Sequence, residues 1–201
     1  MSIPMILTWA RIALIPVLLA TLYLPEDMLT SRVAQIVAAG IFVLCALTDW
    51  LDGYLARTWR QTSAFGAFLD PVADKLLICA TLIVLVHMAR IHPIVCVVII
   101  GREIAVSALR EWMAQIGKAK TVSVAWIGKL KTACQMVAIP FLLVDFHITA
   151  KLTTVHIGGP LIWVAAVLTV WSMVVYIRAA YLASMPPVPR AASRPVSRTL
   201  A

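Results

Sequence analysis

Four aspartates lie close together in the sequence, in or beside two strongly apolar stretches. They are Asp49, Asp52, Asp70 and Asp74, and they fall within 26 residues of a chain that has only nine acidic residues. A carboxylate at membrane depth costs about 2.5–3.5 kcal/mol on insertion scales, so such residues indicate a functional site. Four neighbouring carboxylates also repel one another unless cations neutralise them.

The spacing of the aspartates predicts that they converge. Asp49 and Asp52 are i,i+3 and Asp70 and Asp74 are i,i+4, so each pair projects from one face of a helix. Both pairs lie at the cytoplasmic ends of consecutive, and therefore antiparallel, predicted spans. Several hard oxygen ligands at one point suit Mg²⁺ or Mn²⁺, and we expect two ions. Mg²⁺ in turn usually binds substrates that carry phosphate.

Small and basic residues between the aspartates favour a nucleotide or pyrophosphate site. Gly53 and Ala56 share the aspartate side of the second span and leave room for a ligand to approach the backbone. Gly66 lies on the face of the second aspartate pair, and Arg57 can donate a fork of hydrogen bonds to a phosphate. In an alternative interpretation the small residues only pack helices together, and Arg57 only anchors the span at the cytoplasmic surface.

These residues follow a single continuous pattern, which reads Asp49-x2-Asp52-Gly53-x2-Ala56-Arg57-x8-Gly66-x3-Asp70-x3-Asp74. It resembles the signature of the CDP-alcohol phosphotransferase family at every fixed position. The resemblance implies a six-span helical bundle, usually a homodimer, whose site opens to the cytoplasm.

The same resemblance implies a role for each residue of the pattern. Asp49, Asp52 and Asp70 would hold one metal ion. Asp49, Asp70 and Asp74 would hold the second, and Asp74 would also be the base that deprotonates the acceptor alcohol. Gly53 and Arg57 would contact the CMP part of the donor, and Ser63 matches a further nucleotide-contacting position.

Three other segments resemble the phosphatidylglycerophosphate synthases of that family. They are Ile3-Pro4-x2-Leu7-Thr8-x2-Arg11, Gly101-Arg102-Glu103-Ile104…Ser107-x-Leu109-Arg110-Glu111 and Gly128-Lys129-Leu130-Lys131-Thr132-x2-Gln135-Met136. The acceptor implied by this resemblance, glycerol 3-phosphate, carries about two negative charges, so its pocket needs several cations. We expect those cations to be Arg102, Arg110, Lys129 and Lys131. The last span and the tail show no specific motif.

Simpler interpretations of these residues stay open. Arg102 can instead form a buried ion pair with Glu103 that only fixes helix packing. The lysines can instead bind lipid head groups. Thr8 and Arg11 can instead fix the first helix at the membrane interface.

The elements that must carry these residues are membrane spans. The chain has 201 residues, of which 62% are hydrophobic and 13% charged, whereas a soluble domain has about 25% charged residues. This composition excludes a soluble enzyme with one anchor, an outer-membrane barrel and a disordered or collagen-like chain. At about 20 residues per span, we predict an all-α integral membrane protein with six transmembrane helices in a bundle. Their predicted bounds are 3–24, 31–55, 66–88, 92–112, 127–144 and 160–182.

The basic residues predict how the bundle is oriented. The net charge is +8, and with the N-terminus inside only Arg32, Arg90 and Lys151 fall in outer loops, as the positive-inside rule requires. Both termini and the site then face the cytoplasm of a bacterial-type inner membrane, and the basic excess attracts anionic lipids rather than nucleic acid. Residues 1–185 form the transmembrane domain, and we expect the basic tail 186–201 to be disordered.

The resemblance therefore implies a Mg²⁺-dependent enzyme that transfers a phosphatidyl group from CDP-diacylglycerol to glycerol 3-phosphate and releases CMP. Within the family, the acceptor can instead be inositol phosphate, serine or phosphatidylglycerol. Outside it, the carboxylates can form a divalent-cation transport path, which predicts acids spread along the membrane normal, whereas these four lie at one depth. A purely structural membrane protein is not expected to place four acids together.

Overall fold

The computed structural model describes residues 3–25, 27–59, 64–118, 125–149 and 152–184, with side chains except at 3, 4, 52–59, 64, 67, 125–127, 129 and 148. The predicted tail 186–201 lies outside the described residues. The described chain forms six α-helices: α1 (Ile3–Tyr23), α2 (Ser31–Trp59), α3 (Ala64–His87), α4 (Pro93–Gln115), α5 (Ala125–Leu143) and α6 (Thr154–Ser184). Two short strands, β1 (His147–Thr149) and β2 (Leu152–Thr153), pair antiparallel between α5 and α6.

The helical architecture agrees with the prediction, and the largest difference in a helix boundary is at the start of α6. Pro160 favours the first turn of a helix, where its missing N–H is not needed, but α6 begins earlier, at Thr154. The Thr154 hydroxyl donates to the Val144 carbonyl and accepts from the Phe146 N–H at 3.1 Å. This side chain therefore ties the start of α6 to the end of α5. The short strand pair beside it is not predicted by the apolar pattern.

Within the described residues, three helical segments are long and apolar enough to cross a membrane, namely Met5–Tyr23, Ser31–Leu51 and Thr154–Ser184. An apolar part of α5, Leu130–Leu143, is shorter. The helices α3 and α4 contain too many charged residues to qualify by composition. Those charges are Asp70, Asp74 and Lys75 on α3, and Arg102, Glu103, Arg110 and Glu111 on α4. Four of these charged residues, Asp70, Asp74, Arg102 and Arg110, are ones that the sequence assigns to a site.

All six helices contribute to one buried core. Each supplies at least one almost fully buried apolar side chain, as with Leu18, Phe42, Leu82, Ile99, Ile139 and Ile162. Large apolar side chains also cover the outside of the bundle, where Val97, Val167 and Trp171 are more than half exposed. An outer surface this rich in apolar groups is typical of helices that face lipid.

The most extensive contact between two helices in the described chain is that of α5 with α6. A Cβ atom added at Gly158 of α6 would lie 2.7 Å from Leu142 Cγ and 3.1 Å from the Ala138 carbonyl oxygen. Arg90, between α3 and α4, donates to the carbonyl oxygens of Leu142, at 2.7 Å, and Leu143. These carbonyls belong to the last turn of α5. Carbonyl groups in the last turn of a helix receive no hydrogen bond from the helix itself. Gly158 and Arg90 therefore both fix the position of the C-terminal end of α5.

We predict that Gly158→Ala destabilises the protein. The added methyl overlaps Leu142 and Ala138, and overpacking of this kind costs about 1–3 kcal/mol. The matched control is Gly159→Ala, because a Cβ there meets nothing within 4 Å and alanine is favoured over glycine in helices by about 1 kcal/mol. Thermal unfolding in detergent should give a lower midpoint for Gly158→Ala alone. Equal midpoints for the two variants would contradict the close α5–α6 contact.

Candidate active site

A buried arginine on α1 joins the two aspartate-bearing helices. Arg11 is 1% exposed, and its Nη1 donates to Asp49 Oδ1 at 3.0 Å and to Asp70 Oδ1 at 3.1 Å. Thr8 also donates to Asp70 Oδ1, at 3.2 Å. The structure therefore brings Asp49 and Asp70 to one point, and α1 supplies positive charge there. Thr8 and Arg11 thus do more than fix the first helix at an interface.

Asp74 follows Asp70 by one helical turn on α3. Its Oδ1 is buried and has no hydrogen-bond partner among the described residues. A buried carboxylate oxygen without a partner is costly, so such an atom marks a place where a cation or a ligand proton fits.

For several predicted site residues the structure does not describe the side chain. The backbone of α2 is helical through Asp52, Gly53 and Arg57, but their side chains are not described. Ser63 and the side chain of Lys129 also lie outside the described part of the chain. The roles of these five residues therefore stay predictions.

The aspartates suit a divalent metal by their chemistry. Carboxylate oxygens are the ligands that Mg²⁺ prefers, and the unpartnered Asp74 Oδ1 is such an oxygen. Among the side chains that the structure describes, no three His, Cys, Asp or Glu groups are close enough to hold a metal ion. Asp52 is not among those side chains, so the four-aspartate metal site stays a prediction.

A cavity of about 550 Å³ opens beside Asp74, within the range of about 300–1,000 Å³ that is usual for small-molecule sites. Three of the four predicted acceptor-binding cations, Arg102, Arg110 and Lys131, line it together with Asp74. The other lining residues are Ile78, Glu103, Gly128, Thr132, Ala133, Gln135, Met136, Ser172 and Tyr176. The structure thus brings the predicted base and most of the predicted phosphate-binding residues into one space.

Glu103 links two of these cations. Arg102 and Lys131 are 7% and 5% exposed, and both donate to Glu103 Oε1, Arg102 from Nη1 at 3.0 Å. The ion pair between Arg102 and Glu103 therefore exists, and it forms part of the cavity wall rather than only a helix contact. Arg102 Nε and Gln135 Nε2 are buried donors without an acceptor among the described residues. A cavity with surplus donors favours an anionic ligand.

The helix α6 holds both arginines in place, although the sequence shows no specific motif there. Ser172 Oγ accepts from Arg102 Nη2 at 3.1 Å, and the Tyr176 hydroxyl accepts from Arg110 Nε at 3.3 Å. The Arg110 guanidinium also lies over the Tyr176 ring, 5.4 Å from its centroid. The signal in the sequence is a set of buried polar residues at helical spacing, including Thr169, in an otherwise apolar span. Polar side chains of such a span face the protein interior.

Comparison with known proteins gives one consistent result. A family model described as CDP-alcohol phosphatidyltransferase matches residues 1–171. A protein of Salmonella choleraesuis (strain SC-B67), named CDP-diacylglycerol–glycerol-3-phosphate 3-phosphatidyltransferase, is 46% identical over 89% of this chain and 94% of its own. Proteins of the same name from Shigella flexneri and Haemophilus influenzae are 45% and 41% identical. Each alignment covers 89% of this chain, with 94% and 93% of the respective relative.

We predict that Arg11→Met destabilises the protein, because it leaves Asp49 and Asp70 without their cation. Breaking a buried ion pair costs about 3–5 kcal/mol. The aspartate side chains are 38% and 35% exposed, and solvent screening reduces the cost to about 2 kcal/mol. In detergent with EDTA, the unfolding midpoint should fall by roughly 4–8 °C.

The matched control for this variant is Arg32→Met. Arg32 is an exposed arginine at the opposite end of α2, where it lies 4.9 Å from the centroid of the Phe146 ring. Its loss should move the midpoint little. Equal shifts for the two variants would show that the Arg11 ion pairs do not stabilise the bundle.

Proposed function

The chain belongs to the CDP-alcohol phosphatidyltransferase family, and we propose that it transfers the phosphatidyl group of CDP-diacylglycerol to glycerol 3-phosphate, releasing CMP. The observation that carries this proposal is the cavity in which Asp74 meets Arg102, Arg110 and Lys131. A carboxylate beside three cations suits an acceptor that has both a reactive hydroxyl and a phosphate. The names of the relatives support the same reaction.

The cations also bear on the choice of acceptor. A dianionic phosphate would offset the free-energy cost of burying the charges of Arg102 and Lys131. Serine carries no phosphate and would not. Inositol phosphate carries the same charged group and is the alternative that the cavity favours next. The names of the relatives specify glycerol 3-phosphate, which decides our preference.

In the proposed reaction Asp74 accepts the proton of the 1-hydroxyl of glycerol 3-phosphate. That oxygen forms a bond to the β-phosphorus of CDP-diacylglycerol, and the bond from this phosphorus to the CMP oxygen breaks. CMP leaves with the electron pair, and the other product is phosphatidylglycerophosphate. Arg102, Arg110 and Lys131 hold the acceptor phosphate, so that its hydroxyl end is presented to Asp74.

We further propose that Asp49, Asp52, Asp70 and Asp74 hold Mg²⁺, as the family resemblance implies. The chemistry that Mg²⁺ supplies when bound is positive charge beside the pyrophosphate oxygens of the donor. Gly53, Arg57 and Ser63 would contact the CMP part of the donor, and Lys129 would join the acceptor-binding cations.

The finer topology is also part of the proposal. The distribution of basic residues supports an inner-membrane protein with six spans. It also supports cytoplasmic termini and a site that faces the cytoplasm. The apolar outer surface of the bundle supports a location in the membrane as well. A homodimer is supported by the resemblance to the family alone.

The first experiment measures CMP release from CDP-diacylglycerol by the purified protein in detergent. Glycerol 3-phosphate, inositol phosphate and serine are offered separately, each with Mg²⁺ or with EDTA. We expect release with glycerol 3-phosphate and Mg²⁺ only. Release with a different acceptor would overturn the assignment of the acceptor, and full release in EDTA would overturn the metal.

We predict that Asp74→Asn lowers kcat for CMP release by about 100-fold or more, because a positioned general base contributes roughly 10²–10⁴-fold. The matched control is Asp145→Asn, an exposed carboxylate after α5 that is remote from the cavity. It should keep the wild-type rate. Near-full turnover of folded Asp74→Asn would contradict the role of Asp74 as the base.

A further inference from the structure

The cavity wall contains a hydrogen-bond acceptor, a carboxylate, that the proposed reaction does not use. Glu103 lies in the cavity wall beside the cations, on α4, and its side chain is 20% exposed. Its Oε1 accepts from both Arg102 and Lys131. Glu103 Oε2 receives no hydrogen bond from the described residues. Because a carboxylate oxygen offers two lone pairs, Oε2 can accept from a ligand.

The charge of Glu103 decides what kind of ligand group can approach it. A phosphate oxygen is repelled by the carboxylate, so the acceptor phosphate must lie on the far side of the cations. A hydroxyl group is a neutral donor and forms a strong hydrogen bond to an ionised acceptor. The ligand group that lies beside Glu103 is therefore expected to be a hydroxyl rather than a phosphate.

We propose that Glu103 Oε2 accepts a hydrogen bond from the 2-hydroxyl of the acceptor, and thereby makes the enzyme specific for a phosphorylated alcohol with adjacent hydroxyls. This inference depends on the proposed function, since glycerol 3-phosphate carries the 2-hydroxyl next to the reacting 1-hydroxyl. An acceptor alcohol without this hydroxyl forgoes a charge-assisted hydrogen bond to Glu103, so the enzyme discriminates against it. Glu103 also keeps Arg102 and Lys131 in position, and the two roles are separable by experiment.

The experiment compares glycerol 3-phosphate with 3-hydroxypropyl phosphate, which has the same chain and phosphate but no 2-hydroxyl. For the wild-type protein, kcat/KM for CMP release should be at least about tenfold lower with 3-hydroxypropyl phosphate. In Glu103→Met, which has similar volume and no oxygen, this ratio should fall to within about twofold. A role that is only structural would lower both rates equally and leave the ratio unchanged.

Glu103→Gln keeps the experiment decisive if Glu103→Met does not fold. Because charge-assisted hydrogen bonds are roughly twice as strong as neutral ones, the ratio should fall about threefold or more in this variant. The control is Glu111→Gln, an exposed residue of the same helix that does not line the cavity, and its ratio should match the wild type.

Two failures can be told apart. If the wild-type protein releases no CMP with glycerol 3-phosphate, the proposed function is wrong. If it does, but does not discriminate between the two acceptors, or keeps its discrimination in folded Glu103 variants, the role of Glu103 is wrong and the proposed function stands.

Discussion

The buried carboxylates of this bundle are compensated largely by cations that reach them from other helices. In this protein Arg11 of α1 meets Asp49 of α2 and Asp70 of α3 through one nitrogen atom. On the other side of Asp74, Lys131 of α5 and Arg102 of α4 meet at one oxygen of Glu103. Each cluster includes an ion pair between residues far apart in sequence, so neither cluster is complete before the bundle is assembled. The charges thus fix the packing of the same helices that they destabilise as isolated spans.

Asp74 lies where the two clusters meet. It is one turn from Asp70 on α3, and it lines the cavity that the cations surround. A donor lipid held by the aspartates and an acceptor alcohol held by the cations would therefore approach each other beside the Asp74 carboxylate. Positioning two charged substrates in this way would contribute to the rate of transfer.

Sequence reasoning predicted well what depends on local spacing. The i,i+4 spacing and the apolar stretches predicted six helices and the convergence of Asp49 and Asp70, because both follow from helix periodicity and antiparallel packing. The resemblance of two further segments to the phosphatidylglycerophosphate synthases also predicted Arg102, Arg110 and Lys131, which line the cavity. Sequence reasoning did not predict the contacts of Ser172 and Tyr176, because a lone serine or tyrosine in an apolar span has no partner that can be read from spacing. The start of α6 was misplaced for a related reason, since the hydrogen bonds of Thr154 reach back to the end of α5.

The aspartates and the cavity cations lie on different helices, and this separation has an evolutionary consequence. The aspartates belong to α2 and α3, whereas the cavity cations belong to α4 and α5, and their supporting side chains Ser172 and Tyr176 belong to α6. With the proposed roles, a lineage can exchange one acceptor alcohol for another by substitutions in the second half of the gene, while the first half continues to bind an unchanged donor. Descendants of such a protein would share one reaction and differ in the lipid head group that they make.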